Sequence, residues 1–268
     1  MNIQVIVAGS TGKMGREVVK MLGQHEYFEF VCGVSRSLAG KDAGEAIGLS
    51  HLGVPLVASV QEAIQRYPHA DVLVDFTQPR SVLEHAFMAL NAGIRPVIGT
   101  SGLNEEQIER LKNEAQQKNL GAIVAPNFAI GAVLMMVFAA QAAKYLPHVE
   151  IVESHHDQKL DAPSGTAVKT AESILEHRSG IIEQGHNQEE ELLQGARGAY
   201  YHGFRIHSIR LPGLIAHQEV LFGGSGQLLT IRHDSFDRES FMPGVKIAIE
   251  QVMKKDELIY GLEKLLEE

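Results

Sequence analysis

Residues 3–15 read IQVIVAGSTGKMG, and this stretch decides the fold. Ile3 to Ala8 is a short, mostly apolar run that stops at Gly9, as a buried parallel strand does. Gly9, Gly12 and Gly15 then fall at G-x-x-G-x-x-G spacing, ahead of a helical stretch with Val18, Val19 and Leu22 on one face. Strand, glycine turn and helix in that order make a phosphate cradle. The glycines let a pyrophosphate approach the backbone, and the helix terminus offers unpaired N–H groups and the positive end of its dipole. A P-loop is excluded, because Lys13 is followed by Met14 where a metal-binding Ser or Thr is required.

Working outward, a second strand is expected at Phe28 to Val34, and its end should meet the adenosine ribose. The residues there are Ser35 and Arg36 instead of an acid, and a guanidinium beside a hydroxyl suits a 2′-phosphate. Three further strand-like runs end in small or polar residues. Asp71 to Phe76 ends at Thr77, Arg95 to Ile98 at Gly99-Thr100-Ser101, and Gly121 to Val124 at Ala125-Pro126-Asn127-Phe128. Helical stretches separate them, one starting near Glu105 with Asn104 and Gln107 spaced as a capping box. Alternating strands and helices predict a doubly wound, Rossmann-like parallel sheet. Ligands of such sheets bind beyond the carboxyl ends of the strands, which makes Thr77, Thr100 and Asn127 candidates for the nicotinamide end.

At 268 residues, two domains are expected. Apolar content of 44% and charged content of 21% are ordinary for a soluble globular chain. The net charge of −9, with no basic patch, argues against nucleic acid or a membrane surface as partner. The lone Cys32 allows no intrachain disulfide and fits a reducing, cytoplasmic setting. The longest apolar run, Phe128 to Ala140, is shorter than the ~20 residues of a membrane helix and is expected as a buried helix. Beyond it the pattern changes. Phe204 to Leu211, Glu219 to Phe222 and Gln227 to His233 read as strands, the last two joined through Gly223-Gly224-Ser225-Gly226 as a hairpin. A second α+β domain with a mixed or antiparallel sheet follows, and self-association is a ready way to cover its open face. The stretch from about Ser240 to Glu268 is expected to be largely helical.

Between the two patterns lies ESHHDQKLDAPSGT, Glu153 to Thr166. It reads as a strand (Val149 to Val152), a loop with His155, His156 and Lys159, and a helix from Gly165 to His177 capped by Ser164. Ala167, Ala171, Ile174 and Leu175 set the helical spacing. A cationic loop running into a helix N-terminus is a place for an anion. No metal set is expected: the two histidines should point to opposite faces of a strand, and no cysteine completes four ligands.

Assembled, these motifs resemble the 4-hydroxy-tetrahydrodipicolinate (dihydrodipicolinate) reductase family over essentially the full length. The most specific element is His155-His156-x-x-Lys159-x-Asp161-Ala-Pro-Ser164-Gly165-Thr166, supported by VAGSTGKMGR, VDFT, VIGTSG, APNF and RLPGLIAHQEVLFGG. The resemblance implies reduction of a cyclic unsaturated imine dicarboxylate in lysine and diaminopimelate synthesis. It implies acid–base work by His155, proton donation or charge stabilisation by Lys159, and substrate contacts from His156, Ser164, Gly165 and Thr166. The cofactor loops would be Gly9, Ser10, Thr11, Gly12, Lys13 and Met14, then Gly99, Thr100 and Ser101, then Ala125, Pro126, Asn127 and Phe128. A cofactor domain 1–127 rejoined by a tail 239–268, a substrate domain 128–238 and a homotetramer built through the second domain are implied as well. Many members carry an acid before the arginine at the end of the second strand. Ser35 in that place points to NADPH as the preferred cofactor, with NADH as a possible second. Of two rivals, the first is rejected and the second is left for turnover with substrate to separate. A phosphorylating semialdehyde dehydrogenase needs a cysteine nucleophile, and Cys32 lies inside a strand. A non-catalytic redox sensor has no use for a His-His-Lys loop.

Overall fold

Strand β1 (Ile3–Ala8) buries Val5, Ile6, Val7 and Ala8 completely and is paired on both edges, as a central parallel strand must be. It belongs to a computed structural model that describes residues 2–266. In chain order there follow α1 (Lys13–Gly23), β2 (Phe28–Val34), β3 (Leu56–Val57), α2 (Val60–Arg66), β4 (Val72–Asp75), α3 (Pro79–Asn91), β5 (Arg95–Ile98), α4 (Glu105–Lys118) and β6 (Ala122–Val124). Then come α5 (Ile130–Ala143), β7 (His148–His155), α6 (Gly165–His177), β8 (Ala199–Tyr201), β9 (Phe204–Arg210), β10 (Ala216–Gly224) and β11 (Gln227–Ser235), and finally α7 (Met242–Val252), β12 (Leu258–Tyr260) and α8 (Glu263–Leu266).

Two compact units result, Met1–Phe128 with Phe241–Glu268, and Ala129–Ser240. The boundaries expected from sequence shift by one or two residues. The first unit holds a seven-stranded sheet in the order β12-β6-β5-β4-β1-β2-β3, with every pairing parallel. Local chemistry explains its helices. Gly15, Val18, Val19 and Leu22 form the buried face of α1. Pro79 opens α3, where its missing N–H removes no helical bond. Asn104 and Gln107 close a complete capping box on α4. Strand order turns at β1, so the loops after β1, β2 and β4 share one end of the sheet, where ligands of such folds sit.

The second unit is a five-stranded mixed sheet, β11-β10-β7-β9-β8. Only β7 and β9 run parallel; the other pairings are antiparallel. Val149 and Ile151 of β7, Ile206 of β9, and Val220 and Phe222 of β10 are buried in register, on the face that α5 and α6 cover.

Several expectations need correction. The tail is not simply helical, since β12 inserts parallel to β6 and extends the first sheet. Helix α5 is not buried all round: Leu134 and Phe138 lie on its outer side, Phe138 at 53% exposure. The hairpin turn is the two-residue Ser225-Gly226, because Gly224 still pairs with Gln227. Strand β7 runs through His155, so His156 is the first residue of the loop and not a strand residue of opposite facing. Among the described residues no helix is long and apolar enough to cross a membrane.

Candidate functional site

The loop after β1 is shaped by two glycines that nothing else could replace. Gly9 has φ +77°, and a Cβ there would stand 2.6 Å from the Phe76 carbonyl oxygen. A Cβ on Gly15 would stand 2.1 Å from the carbonyl oxygen of Gly9. Gly12 is the N-cap of α1 and brings no side chain to the helix's first N–H groups. Those donors and the dipole behind them face whatever the loop holds. Lys13 is exposed and Met14 half-buried, whereas Ser10 turns inward and donates its hydroxyl to the Val34 carbonyl at 3.1 Å. Its backbone N–H donates to the same carbonyl at 3.3 Å and the residue is 1% exposed, so Ser10 ties the loop to β2 and lines no part of the cavity beside it.

A cavity of about 470 Å³ opens beside this loop. Gly9, Thr11 and Gly12 form one side, Ser35, Arg36 and Ser37 from the end of β2 another, and Thr77, Arg80 and His85 a third. Ser35 is buried, with its hydroxyl 2.8 Å from that of Thr11, while Arg36 and Arg80 are both exposed. Glycine backbone, hydroxyls and two guanidiniums around one hollow fit the phosphate-bearing end of a dinucleotide. Sequence reasoning missed Arg80 and His85, which lie on α3 and reach the cavity only through the sheet topology.

The loops after β4 and β5 are tied to a buried carboxylate. Asp75 accepts from the Thr77 backbone N–H at 2.8 Å, the Thr77 hydroxyl at 2.6 Å and the Thr100 hydroxyl at 2.9 Å, and faces His85 Nδ1 at 2.7 Å. Both threonines singled out from sequence therefore donate inward, and their oxygens remain as acceptors for a ligand. Gly99 has its own reason to be glycine, since a Cβ would lie 2.1 Å from the Phe76 ring. Ser101 is exposed, Ala125 and Phe128 are buried, Pro126 is exposed and Asn127 half-buried. The Phe128 ring tilts against Phe76 with centroids 5.7 Å apart.

In the second unit, His155, Arg210 and the Ser164 cap of α6 gather around another buried carboxylate, Glu153. It lies 2.6 Å from His155 Nδ1, accepts both terminal nitrogens of Arg210 at 3.0 and 2.8 Å, and accepts the Ser164 backbone N–H at 3.2 Å. Burial pushes the Glu153 carboxyl up, but hydrogen bonds from His155, Arg210 and Ser208 outweigh that and hold its pKa at about 2. An ionised carboxylate only accepts, so the His155 proton sits on Nδ1 and Nε2 is left for exchange. The Ser164 hydroxyl caps α6 by accepting from Ala167 N–H at 3.2 Å, and Ser164 is 2% exposed. Gly165 is exposed, with no neighbour within 4 Å of an added Cβ, and Thr166 and His156 are half-buried beside it in sequence or loop. Lys159 pairs with Asp161 at 2.7 Å, an exposed partner whose carboxyl is held low by that ammonium despite burial's opposite pull. The pairing of Glu153 with Arg210 went unnoticed in the sequence, although Glu153 opens the ESHHDQKLDAPSGT stretch, because nothing local marks two residues 57 positions apart as a pair.

Among the described residues no group of three His, Cys, Asp or Glu is placed to hold a metal. Burial pushes the Cys32 thiol up to about 12, far from a nucleophile's range.

Two family models match the chain: dihydrodipicolinate reductase, N-terminus, over residues 3–128, and dihydrodipicolinate reductase, C-terminus, over residues 131–266. The chain is 53% identical over 267 residues to the 4-hydroxy-tetrahydrodipicolinate reductase of Geobacillus kaustophilus, covering 100% of both. To the same-named protein of Halalkalibacterium halodurans it is 54% identical over 265 residues, with 99% of this chain and 100% of the other covered. It superposes on a dipicolinate-bound dihydrodipicolinate reductase from Paenisporosarcina sp. TG-14 with a TM-score of 0.86 and 51% identity, covering 98% and 99% of the two chains. The glycine loop and its cavity lie within the N-terminal match, which makes the first unit the one that takes a pyridine nucleotide. Matched in both halves and about half identical to curated members from end to end, the chain belongs to the dihydrodipicolinate reductase family of oxidoreductases.

Proposed function

We propose that this protein reduces 4-hydroxy-tetrahydrodipicolinate, by way of dihydrodipicolinate, to tetrahydrodipicolinate in lysine and diaminopimelate synthesis. The reading is carried by one observation: His155, fixed by Glu153, stands beside a helix terminus whose first residue is an open glycine. The nicotinamide supplies a hydride. Its addition to a ring carbon of the conjugated imine drives the electron pair to nitrogen and leaves an enamine. A proton delivered to the adjacent carbon completes the reduction: His155 Nε2 takes a proton from water, the Glu153 carboxylate balances the imidazolium that results, and Nε2 passes that proton to the carbon. The N–H groups of Gly165 and Thr166 at the positive end of α6 bind one ring carboxylate, and His156 donates to the same ligand. Lys159 stabilises the charge that develops. Its bond to the exposed Asp161 is a surface pair of about 0–1 kcal/mol, easily exchanged for a substrate carboxylate.

NADPH is the preferred cofactor, supported by Arg36 and Arg80 on the wall of the glycine-loop cavity and by Ser35 in place of an acid. The homotetramer forms through the second unit. Its sheet turns Val152, Leu221 and the 68%-exposed Leu228 away from α5 and α6, and copies of this chain cover that face. Steady-state turnover with NADPH and NADH tests the activity and the preference together, and sedimentation tests the tetramer. Absence of turnover with either cofactor overturns the reading.

A further inference from the structure

Glu153 and His155 are two residues apart on β7, so their side chains leave the same face of the strand. The carboxylate is 0% exposed, yet it stays ionised because three elements supply its donors: the imidazole from β7, the guanidinium of Arg210 from β9, and the Ser164 N–H at the start of α6. Arg210 also donates to the Asp161 carbonyl at 2.8 Å, which ties the loop carrying Lys159 to the same point. Packing alone gives no reason for this arrangement, since a buried ion pair is often matched or bettered in stability by apolar residues of similar size. What the charge does supply is orientation. It sets the proton of His155 on Nδ1 and fixes the ring relative to the terminus of α6.

We infer that Glu153 is a positioning residue for proton transfer: it fixes the tautomer and aim of His155 and, through Ser164 and Arg210, holds the anion-binding terminus in register with it. This rests on the reading of His155 as proton carrier, and the experiment separates the two. In the full-length protein, kcat, both Michaelis constants and the solvent deuterium isotope effect on kcat are measured for wild type, Glu153→Gln and His155→Gln. Glu153→Gln is expected to lower kcat about 10- to 100-fold, as a misdirected reacting group does. The NADPH constant should stay within about twofold, since the cofactor cavity of the first unit is lined by other residues, and the isotope effect should rise as protonation slows. If His155→Gln keeps near-normal kcat, the reading of His155 fails. If His155→Gln loses activity while Glu153→Gln keeps wild-type kcat and isotope effect, the positioning role alone is overturned. A fall in kcat matched by loss of NADPH binding, with an unchanged isotope effect, also overturns it, because that is the pattern of damaged folding. Should Glu153→Gln not fold, wild type carries the test: ¹⁵N-histidine spectra, with His155 assigned by its absence in His155→Gln, should show the proton on Nδ1. A proton on Nε2 in the neutral ring overturns the inference.

Discussion

Each unit buries a carboxylate near the carboxyl end of a strand and sets a histidine Nδ1 against it, at 2.7 Å for Asp75–His85 and 2.6 Å for Glu153–His155. What surrounds each pair differs. Asp75 takes its other hydrogen bonds from hydroxyls and a backbone N–H, those of Thr77 and Thr100. Glu153 takes a bidentate guanidinium and a helix-capping N–H. The first carboxylate is a knot that holds two loops in shape beside a cofactor cavity. The second balances its own charge with Arg210 and stands at the start of α6, and in the proposed mechanism the other nitrogen of its histidine carries the proton. A histidine on a buried acid is thus not by itself a sign of catalysis; the remaining partners of the acid decide.

The sharpest way to break this contrast is to remove each imidazole. His155→Gln should lower kcat by roughly 10²–10⁴, the range of general acid–base catalysis. His85→Gln should raise the NADPH Michaelis constant several-fold and change kcat by less than that. Steady-state kinetics on both variants checks it, and equal losses of kcat would erase the distinction.

The second test uses acidity. Glu153 has its pKa at about 2 in the folded protein, against an ordinary value of 4.5. Its folded pKa is depressed, so the stability it contributes is full above the unfolded value and is lost as pH falls toward the folded one. The difference corresponds to about 3 kcal/mol across that window. In urea unfolding, the stability gap between wild type and Glu153→Gln should therefore begin to close below about pH 5 and go on closing to about pH 2. A gap independent of pH would mean that Glu153 is not held ionised as its partners require.

These two sites were unequally legible in the sequence. His155, Lys159, Ser164, Gly165 and Thr166 sit within twelve residues, and strand-to-loop-to-helix grammar is a local signal. The glycine loop was readable for the same reason. The pairings of Asp75 with His85 and of Glu153 with Arg210 were not, because a hydrogen-bond hub is a product of topology: Arg210 meets Glu153 only once β9 lies parallel to β7. Strands β3, with two residues, and β8 and β12, with three each, are too short to show periodicity, and β12 is helical in flanking character. The exposed Phe138 shows the converse limit. An apolar run announces a helix but not which of its faces has a partner.

A smaller effect sharpens the first unit's side of the comparison. If that cavity takes a 2′-phosphate, Arg36→Ala removes a charge-assisted contact of roughly 1.5–3 kcal/mol. The NADPH Michaelis constant should rise relative to that for NADH, and Arg80→Ala should move it in the same direction. Kinetics with both cofactors decides, and an unchanged ratio in Arg36→Ala would remove the phosphate from this wall.

The smallest change in stability tests the second unit's helix terminus. Glycine at 165 is not demanded by the fold: its φ is not positive, and an added Cβ would meet nothing within 4 Å, whereas at Gly15 it would meet backbone at 2.1 Å. Alanine is favoured over glycine in helices by about 0.5–1 kcal/mol, with less at the first position. Gly165→Ala should thus leave melting unchanged or raise it slightly. If glycine is there so that a carboxylate can approach the N–H groups of α6, the same methyl group should raise the substrate's Michaelis constant strongly and weaken competition by dipicolinate, with NADPH binding unaffected. The variant then separates stability from binding by sending them in opposite directions. Undiminished inhibition by dipicolinate in a folded Gly165→Ala protein would show that the carboxylate lies elsewhere, and Gly165 would be left as a helix start that alanine improves.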